Sequence, residues 1–409
     1  MTKVYVGMSG GVDSSLTAAL LIEQGFDVTG VYMKNWTQDL PGMKCPWAED
    51  LADAKRVAVK LGIPFKVFDF QTEYKDLVVD YMIREYSAGR TPNPDIMCNQ
   101  EVKFGLFLNA AVAAGADMIA TGHYARVHNK FSDYFSSSPA QSERFKPGNI
   151  PMLDESSGDP VTRLTPSASR AQIISDSEKQ SENLTKLLMA KCKDKDQTYF
   201  LYRITESALE KTLFPIGDFL TKEDVRREAE KRGLITARKK DSQGICFVGS
   251  VGIREFLSQF VETKPGNIID KKTGKVLGRH DGAIFYTFGQ RHGLGVGGGL
   301  PYYVVDKNMV KNEVYVSADL NNDDFWREEI ILSDVHFING APDFDKNYQI
   351  RVRHRASLID AKISPDGDRI ILKLQNPERA IAPGQSIVIY DGEICVGGGI
   401  LASATEVLA

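Results

Sequence analysis

Apolar residues fall in short blocks along the first 125 positions, and their spacing alternates between two periods. Residues 4–8 form a strand-like run, and 14–24 follow with Leu16, Ala19 and Leu20 at helical spacing and Gly25 as a stop. The pattern predicts a second strand over 28–33 and a second helix over 48–61, closed by Gly62 and Pro64. A strand over 65–70, helices over 73–86 and 102–114, and a strand over 118–121 continue it. Repeated βα units of this length predict an α/β fold, a doubly wound parallel sheet with helices on both faces. Such sheets bind ligands at the carboxyl ends of their strands, so the loops after Met8, Met33 and Thr121 are expected close together.

Residues 131–183 break the pattern. Twelve serines, five prolines and little periodicity predict a surface insertion, partly disordered. Order returns after Asp196, with a charged helix over 222–232, an apolar-ended segment over 239–248 and a glycine-rich stretch over 282–303. Beyond about residue 314 come short alternating strands over 348–353, 370–374, 386–390 and 393–397. Turn residues such as Asp366-Gly367-Asp368 and Asp391-Gly392 separate them, which predicts an antiparallel barrel or sandwich. There is no internal repeat.

At 409 residues the chain suggests two or three domains. No run of about 18 apolar residues exists, which argues against a membrane span. Met1-Thr2-Lys3 leads straight into the first strand, so neither signal peptide nor transit segment is expected. Five cysteines, an odd number, make no secreted disulfide framework, and the expected compartment is the reducing cytoplasm. The net charge of −4 excludes a uniformly basic nucleic-acid domain. Resolved along the chain, it is uneven. The insertion carries eight acidic against five basic residues, 226–240 seven basic against two acidic, and 263–279 five against one. Arg351, Arg353 and Arg355, at alternating strand positions, would add a cationic face for a nucleic-acid backbone, with a solvated strand face as the plainer reading.

The most specific local signal is Ser9-Gly10-Gly11-Val12-Asp13-Ser14-Ser15, after a strand and opening a helix. Adjacent glycines let backbone approach phosphate oxygens, and the amides of a helix N-terminus point at the anion. The serines add hydroxyl donors, and Asp13 is a candidate ligand for the Mg²⁺ that accompanies a nucleotide. The lysine of a Walker A loop is missing, so this is not an ordinary P-loop. A second glycine run, 293–299, has no strand–helix context and Pro301 follows at once, so it reads as a tightly turning loop.

Thr91-Pro92-Asn93-Pro94-Asp95-Ile96-Met97-Cys98-Asn99 is a proline-punctuated loop entering a helix, with Asn99 as the expected N-cap. Cys98 would then sit where the helix dipole favours thiolate, and Asp95 could serve as general acid or base. A half-buried cysteine and a turn-forming aspartate are the plainer alternatives. Cys246, in Gly244-Ile245-Cys246-Phe247, reads locally as a buried strand cysteine, and Cys395 likewise. Cys192 borders the insertion, and Cys45 is on a loop with no assigned role. No zinc spacing occurs, so no metal site is expected.

In order along the chain, SGGVDSS (9–15), NPDIMCNQEVKF (93–104), ATGHYARV (120–127), KDQTYFL (195–201), DSQGICF (241–247) and GQRHGLGVGGGLPYYVV (289–305) resemble the tRNA-uridine 2-sulfurtransferase family. These are the tRNA-specific 2-thiouridylases of the PP-loop ATP pyrophosphatase superfamily. The resemblance covers nearly the whole chain. It implies a PP-loop catalytic domain of adenine nucleotide alpha hydrolase type over 1–211 and 235–252. It further implies a central tRNA-binding domain over 212–234 and 253–317, and a C-terminal antiparallel β-barrel over 318–409. ATP with Mg²⁺ would bind Gly7, Met8, Ser9, Gly10, Gly11, Val12, Asp13, Ser14, Met33 and Gly122. Asn93, Pro94 and Asp95 would hold the wobble uridine of tRNA, with Asp95 as acid/base. Cys98 would be the nucleophile and Cys246 would carry a persulfide, supplied by a cysteine desulfurase or relay protein, the two closing a transient disulfide. His123, Lys195, Asp196, Gln197, Arg353, His354 and Gln385 would touch tRNA. The insertion departs from the family, which needs only a short hairpin between Gly122 and Lys195.

On the residues alone, three other readings stay open: a PP-loop ligase with ammonia or an amine as nucleophile, a nucleotide-binding tRNA chaperone or sensor, and an iron–sulfur cluster on Cys98, Cys246 and Asp95.

Overall fold

Val4 and Val6 point to one side of the first strand and Tyr5 to the other, and all three are buried. A strand apolar on both faces must be covered on both, as in a parallel sheet. The computed structural model describes residues 1–39, 45–128, 184–240, 252–297, 301–319, 326–379 and 381–402. The insertion and Cys246 lie outside the described residues.

Strands β1 (Lys3–Gly7), β2 (Asp27–Lys34), β3 (Phe65–Asp69) and β4 (Met118–Thr121) form a parallel sheet in the order β3-β2-β1-β4. In register, Gly7 lies opposite both Val31 and Thr121, so the loops after β1, β2 and β4 leave the sheet side by side, as expected. Helices α1 (Val12–Glu23) and α2 (Trp47–Leu61) cover one face. Gly62, in the left-handed region at φ +68°, ends α2. The other face packs against the helical segments Gln71–Ser87 and Pro94–Ala113, each widened by π-helical turns at Lys75–Val79 and Cys98–Phe107.

After β4 the chain makes a hairpin of β5 (Ala125–His128) and β6 (Lys186–Met189), which flanks the insertion. Next, β7 (Thr212–Leu213) pairs in parallel with β4 as the fifth strand of the first sheet. Helix Lys222–Lys231 buries Val225 and Ala229 in the core of α1 and α2. Residues 212–234 therefore pack with the parallel-sheet domain rather than with the central one, because their apolar positions complete its core.

The central unit is a four-stranded sheet, β10-β11-β8-β9, built from β8 (Gly266–Asp270), β9 (Val276–His280), β10 (Tyr303–Asn308) and β11 (Glu313–Ser317). Gly293 and Gly295 of the second glycine run have φ of +78° and +63°, a turning loop as expected. Then β12 (Trp326–Phe337), β13 (Asn347–Arg351), β14 (Ile359–Asp366), β15 (Arg369–Arg379), β16 (Ser386–Asp391) and β17 (Ile394–Leu401) form a closed antiparallel barrel, with β12 pairing both β15 and β17. Closure removes the exposed edges of an open sheet. The hairpin β5–β6 extends it, β6 pairing β17 through Ile394↔Leu188 and Cys395↔Leu187. Among the described residues no helix is long and apolar enough to cross a membrane.

Candidate active site

The first strand ends at Gly7, and the Met8 amide donates to the Val31 carbonyl at 2.7 Å before the chain turns into α1. Gly10 makes the turn at φ +74°, with its backbone against Asp50 of α2. Gly11 is an extended N-cap without a side-chain cap bond. The serines brace the loop from within: Ser9 N–H donates to Ser14 Oγ at 3.2 Å, and Ser15 Oγ donates to the Gly11 carbonyl at 2.7 Å. Gly122, after β4, lies flush on this loop, since a Cβ there would fall 2.7 Å from Ser14 N. At Gly7 a Cβ would come 3.1 Å from Met33 Cε. The residues expected around ATP, from Gly7 to Ser14 with Met33 and Gly122, thus occupy one place at the carboxyl ends of three strands.

Two residues not expected from sequence join them. Lys222 Nζ donates to both carboxylate oxygens of Asp13 at 2.7 Å, and Tyr124 OH donates to Asp13 Oδ1 at 3.0 Å. The ammonium also lies 5.5 Å from the centre of the Tyr124 ring. The two partners lie 209 residues apart in the chain. A lysine in the first turn of a helix, opposed by the dipole, was the one available sign.

The Cys98 helix begins earlier than expected. Asn93, not Asn99, is the N-cap: its Oδ1 accepts from Asp95 N–H at 3.1 Å and Ile96 N–H at 3.4 Å, with Pro94 at the first helical position. Cys98 is therefore the fifth residue of the helix, buried, with its amide bonded to the Pro94 and Asp95 carbonyls. The dipole acts within the first turn and reaches Cys98 less than a terminal position would. Asn99 instead donates through Nδ2 to the Phe200 carbonyl at 3.1 Å. Farther along the same helix, Phe107 packs under Gly7, tying the Cys98 helix to the end of β1.

The residues expected to touch tRNA divide in two. His123 is buried between Phe104 and Phe214; its Nδ1 meets Thr121 Oγ1 at 2.8 Å and its Nε2 meets Lys103 Nζ at 3.3 Å. Burial first, then Lys103, holds its pKa well below 6.5, so it is neutral. Asp196 is only 2% exposed: it accepts from Ala190 N–H at 2.9 Å, Thr198 Oγ1 at 2.8 Å and Arg351 Nη1 at 3.0 Å. Gln197 exchanges two 2.8 Å bonds with the Tyr124 backbone. His123 and Asp196 are buried in the fold, while Gln197 is half-buried. Lys195 is half-buried beside them.

On the barrel side the expected cationic strand face is absent. Strand β13 ends at Arg351, which turns inward to Asp196, because an internal carboxylate needs a cation more than solvent does. Arg353 and Arg355 are exposed on the following turn, Arg355 at φ +64°. His354 stacks on Phe200, ring centres 4.5 Å apart, beside a cavity of about 360 Å³ lined by residues 352–357, Ile359 and Glu378. Burial, with Arg355 and Arg351 nearby, lowers its pKa to about 4. Gln385 Oε1 accepts from Ala382 N–H at 3.1 Å, and the neighbouring Pro383 carbonyl accepts from Thr91 N–H at 2.8 Å. The Asn93–Asp95 loop, Phe200, His354 and the Gln385 turn thus share one side of the molecule.

The basic stretch 226–240 is largely neutralised. Arg232 pairs with Glu23 and Glu228, Arg238 with Glu230, and Lys239 with Asp50 and Asp53. By contrast Lys264, just before β8, and Lys272, Lys275 and Arg279 of the β8–β9 hairpin are exposed. Burial raises the thiol pKa of Cys45, whose Sγ donates to the Trp36 carbonyl at 3.5 Å, and of the fully buried Cys395. Lys239 Nζ reaches Asp50 at 2.8 Å and Asp53 at 2.6 Å on α2, and Phe256 lies 6.2 Å from Trp36, ring centre to ring centre. Among the described residues no group of three or more His, Cys, Asp or Glu side chains could hold a metal ion.

Family comparisons agree with this layout. The tRNA methyl transferase HUP domain matches residues 2–144 and 170–250, the tRNA methyl transferase PRC-barrel domain 254–318, and the aminomethyltransferase beta-barrel domain 327–401. A solved structure titled a predicted subunit of tRNA methyltransferase from Methanocaldococcus jannaschii superposes with a TM-score of 0.26 at 15% identity, over 56% of this chain and 75% of that one, too loosely to carry an argument. The tRNA-specific 2-thiouridylases MnmA of Staphylococcus aureus strains RF122 and JH9 are each 40% identical over 404 residues, 98% of this chain and 95% of theirs. At that identity over nearly its full length, the chain belongs to the tRNA-specific 2-thiouridylase MnmA family.

Proposed function

We propose that this protein is an ATP-dependent tRNA 2-thiouridylase acting on the wobble uridine. What supports the reading most is the 40% identity to 2-thiouridylases across 98% of the chain. The glycine- and serine-rich loop at the end of β1 and the Cys98 helix packed beneath it agree with that chemistry.

ATP binds with its phosphates on the amides of residues 9–14, and the Mg²⁺ that accompanies it screens the phosphate charge. The uridine is drawn out of its stack beside Asn93, Pro94 and Asp95. Its C2 oxygen attacks the α-phosphate, pyrophosphate leaves, and the oxygen becomes part of a good leaving group. The terminal persulfide sulfur on Cys246 then attacks C2, and AMP departs with that oxygen. Cys98 attacks the remaining Cys246 sulfur, which frees 2-thiouridine and leaves a Cys98–Cys246 disulfide for cellular thiols to reduce. Asp95 handles the proton at the base. The sulfur reaches Cys246 from a cysteine desulfurase or relay protein, and the reaction is placed in the cytoplasm.

Incubation with tRNA, ATP, Mg²⁺ and a sulfide source tests the reading: pyrophosphate and a thiolated nucleoside are expected, and the absence of both contradicts it. Adenylation followed by amide or amine transfer would point instead to a ligase. An iron assay on anaerobically purified protein separates the persulfide route from an iron–sulfur cluster on Cys98, Cys246 and Asp95.

A further inference from the structure

The loop that leads into Asn93 is held by all three parts of the molecule. Arg90 lies on it, and its Nε and Nη2 donate to the two carboxylate oxygens of buried Glu85 at 2.5 and 2.7 Å. Gly89 meets the central unit, since a Cβ there would fall 2.9 Å from Met309 Cγ and 3.5 Å from Lys307 Cε. Thr91 meets the barrel, its N–H donating to the Pro383 carbonyl at 2.8 Å. Gly384, the next residue of that barrel turn, has φ +85°, and a Cβ on it would fall 2.7 Å from Arg90 Cβ and 2.8 Å from Thr91 N. One of those atoms is backbone and the other the root of a side chain, so no rotamer change relieves the overlap. The turn itself is braced. Gly384 N–H donates to the Leu401 carbonyl at 3.0 Å, Gln385 N–H to the Ala382 carbonyl at 3.1 Å, and Ala382 N–H to Gln385 Oε1 at 3.1 Å. Downstream the chain has little freedom to absorb a shift. Pro92 and Pro94 have fixed φ, and Thr91 and Asn93, each before a proline, are restricted in turn. A displacement at Thr91 is therefore passed to the Asn93 cap and to Asp95, whose N–H that cap holds.

We propose that Gly384 is a positioning residue for thiolation: the barrel turn 382–385 sets where the Asn93–Asp95 loop and the Cys98 helix stand. The inference rests on the thiouridylase reading given above. Glycine is required at 384 on two counts, the left-handed φ and the lack of room for a methyl group. Gln385, expected to touch tRNA, lies on the same turn, so RNA seated on the barrel is registered against the loop that takes its base. A residue of the third domain thus governs the chemical step without touching the reacting atoms, because a misplacement of about 1 Å can cost roughly 100-fold in rate.

Steady-state thiolation at saturating tRNA, ATP and persulfide donor, in Gly384→Ala and Gly392→Ala, separates this from a merely structural role. Gly392 lies in the turn between β16 and β17 of the same barrel, at φ +58° with nothing within 4 Å of its Cβ. Alanine there brings comparable backbone strain without the overlap. Gly384→Ala is expected to lower kcat roughly 10- to 100-fold, with ATP affinity changed by less than about threefold. Gly392→Ala should keep kcat within about threefold of wild type. Amide hydrogen exchange over residues 89–98 should quicken in Gly384→Ala alone. A kcat for Gly384→Ala within about threefold of that for Gly392→Ala would overturn the proposal, including the case where only the KM for tRNA has risen. If Gly384→Ala does not melt cooperatively, Pro383→Gly decides in its place, because it loosens the turn without adding an atom. It is expected to lower kcat at least about fivefold, and an unchanged kcat would overturn the proposal. Wild-type protein that forms no 2-thiouridine would sink the thiouridylase reading itself, a result distinct from these.

Discussion

The adjacent glycines of the nucleotide loop should fail in different ways when each is changed to alanine. Gly10 sits at φ +74°, a region that costs an ordinary L-residue about 1–2 kcal/mol. Its new Cβ would also enter the Asp50 carbonyl oxygen and come 3.1 Å from that residue's C and Cα, all backbone atoms of α2 that no rotamer change can move. Overpacking of this kind costs about 1–3 kcal/mol, so Gly10→Ala should lose about 2–5 kcal/mol. Gly11 has φ −96° and ψ 169°, ordinary extended backbone, and the nearest atom to its Cβ is Ser9 Oγ at 3.5 Å. Alanine there restricts the unfolded chain and should be neutral or stabilising by up to about 1 kcal/mol. If phosphates approach the loop as proposed, the same methyl group intrudes on them, and ATP affinity should fall at least about tenfold, some 1.4 kcal/mol. Thermal melts and ATP titrations of both variants test the pair. A Gly11→Ala protein that is as destabilised as Gly10→Ala would refute the packing argument. One that binds ATP normally would refute the phosphate role of the loop.

Asp196→Asn leaves Arg351 buried opposite a neutral amide and should cost about 3–5 kcal/mol in urea unfolding, with tRNA affinity of the folded protein close to wild type; a stable variant with lost tRNA binding would restore Asp196 as an RNA contact. Asn93→Ala removes both cap bonds, should cost about 0.5–2 kcal/mol, and should lower thiolation by more than it lowers stability, because Asp95 moves with the cap. Folded-state pKa values below 6.5 at His123, His280, His336 and His354 mean the unfolded chain takes up protons first as the solution is acidified. Their contribution to stability is complete above about pH 6.5 and is lost as pH falls from there to about 4 at His354. Chemical denaturation against pH checks this, and a flat profile over that window would count against their buried, neutral state.

What the sequence revealed, and what it hid, follows from the range of the forces involved. The parallel sheet was legible because burial on both faces writes unbroken apolar runs such as Val4-Tyr5-Val6. The glycine- and serine-rich turn after β1 was legible because those residues act through local backbone. Pairings that cross the chain left little trace. Lys222 looks like any helical surface lysine until Asp13 is beside it, and Asp196 and Gln197, in a motif that suggests RNA contact, turn out to clamp Arg351 and Tyr124. The local positive sum over 226–240 misled because its counter-charges come from Glu23, Asp50 and Asp53, far away in sequence. The start of the Cys98 helix was misplaced because both Asn93 and Asn99 can cap, and only Asn93 has proline in the first turn. The hairpin β5–β6 joins the barrel through β17, a pairing no local pattern announces.

The central claim is that two cysteines divide the labour of sulfur transfer after a shared adenylation step. It is tested most directly by following pyrophosphate and thiolated nucleoside together in wild-type, Cys98→Ser and Cys246→Ser proteins given tRNA, ATP, Mg²⁺ and a persulfide donor. The account predicts tRNA-dependent pyrophosphate release in all three and 2-thiouridine in the wild type alone. Normal 2-thiouridine formation by both serine variants would contradict it.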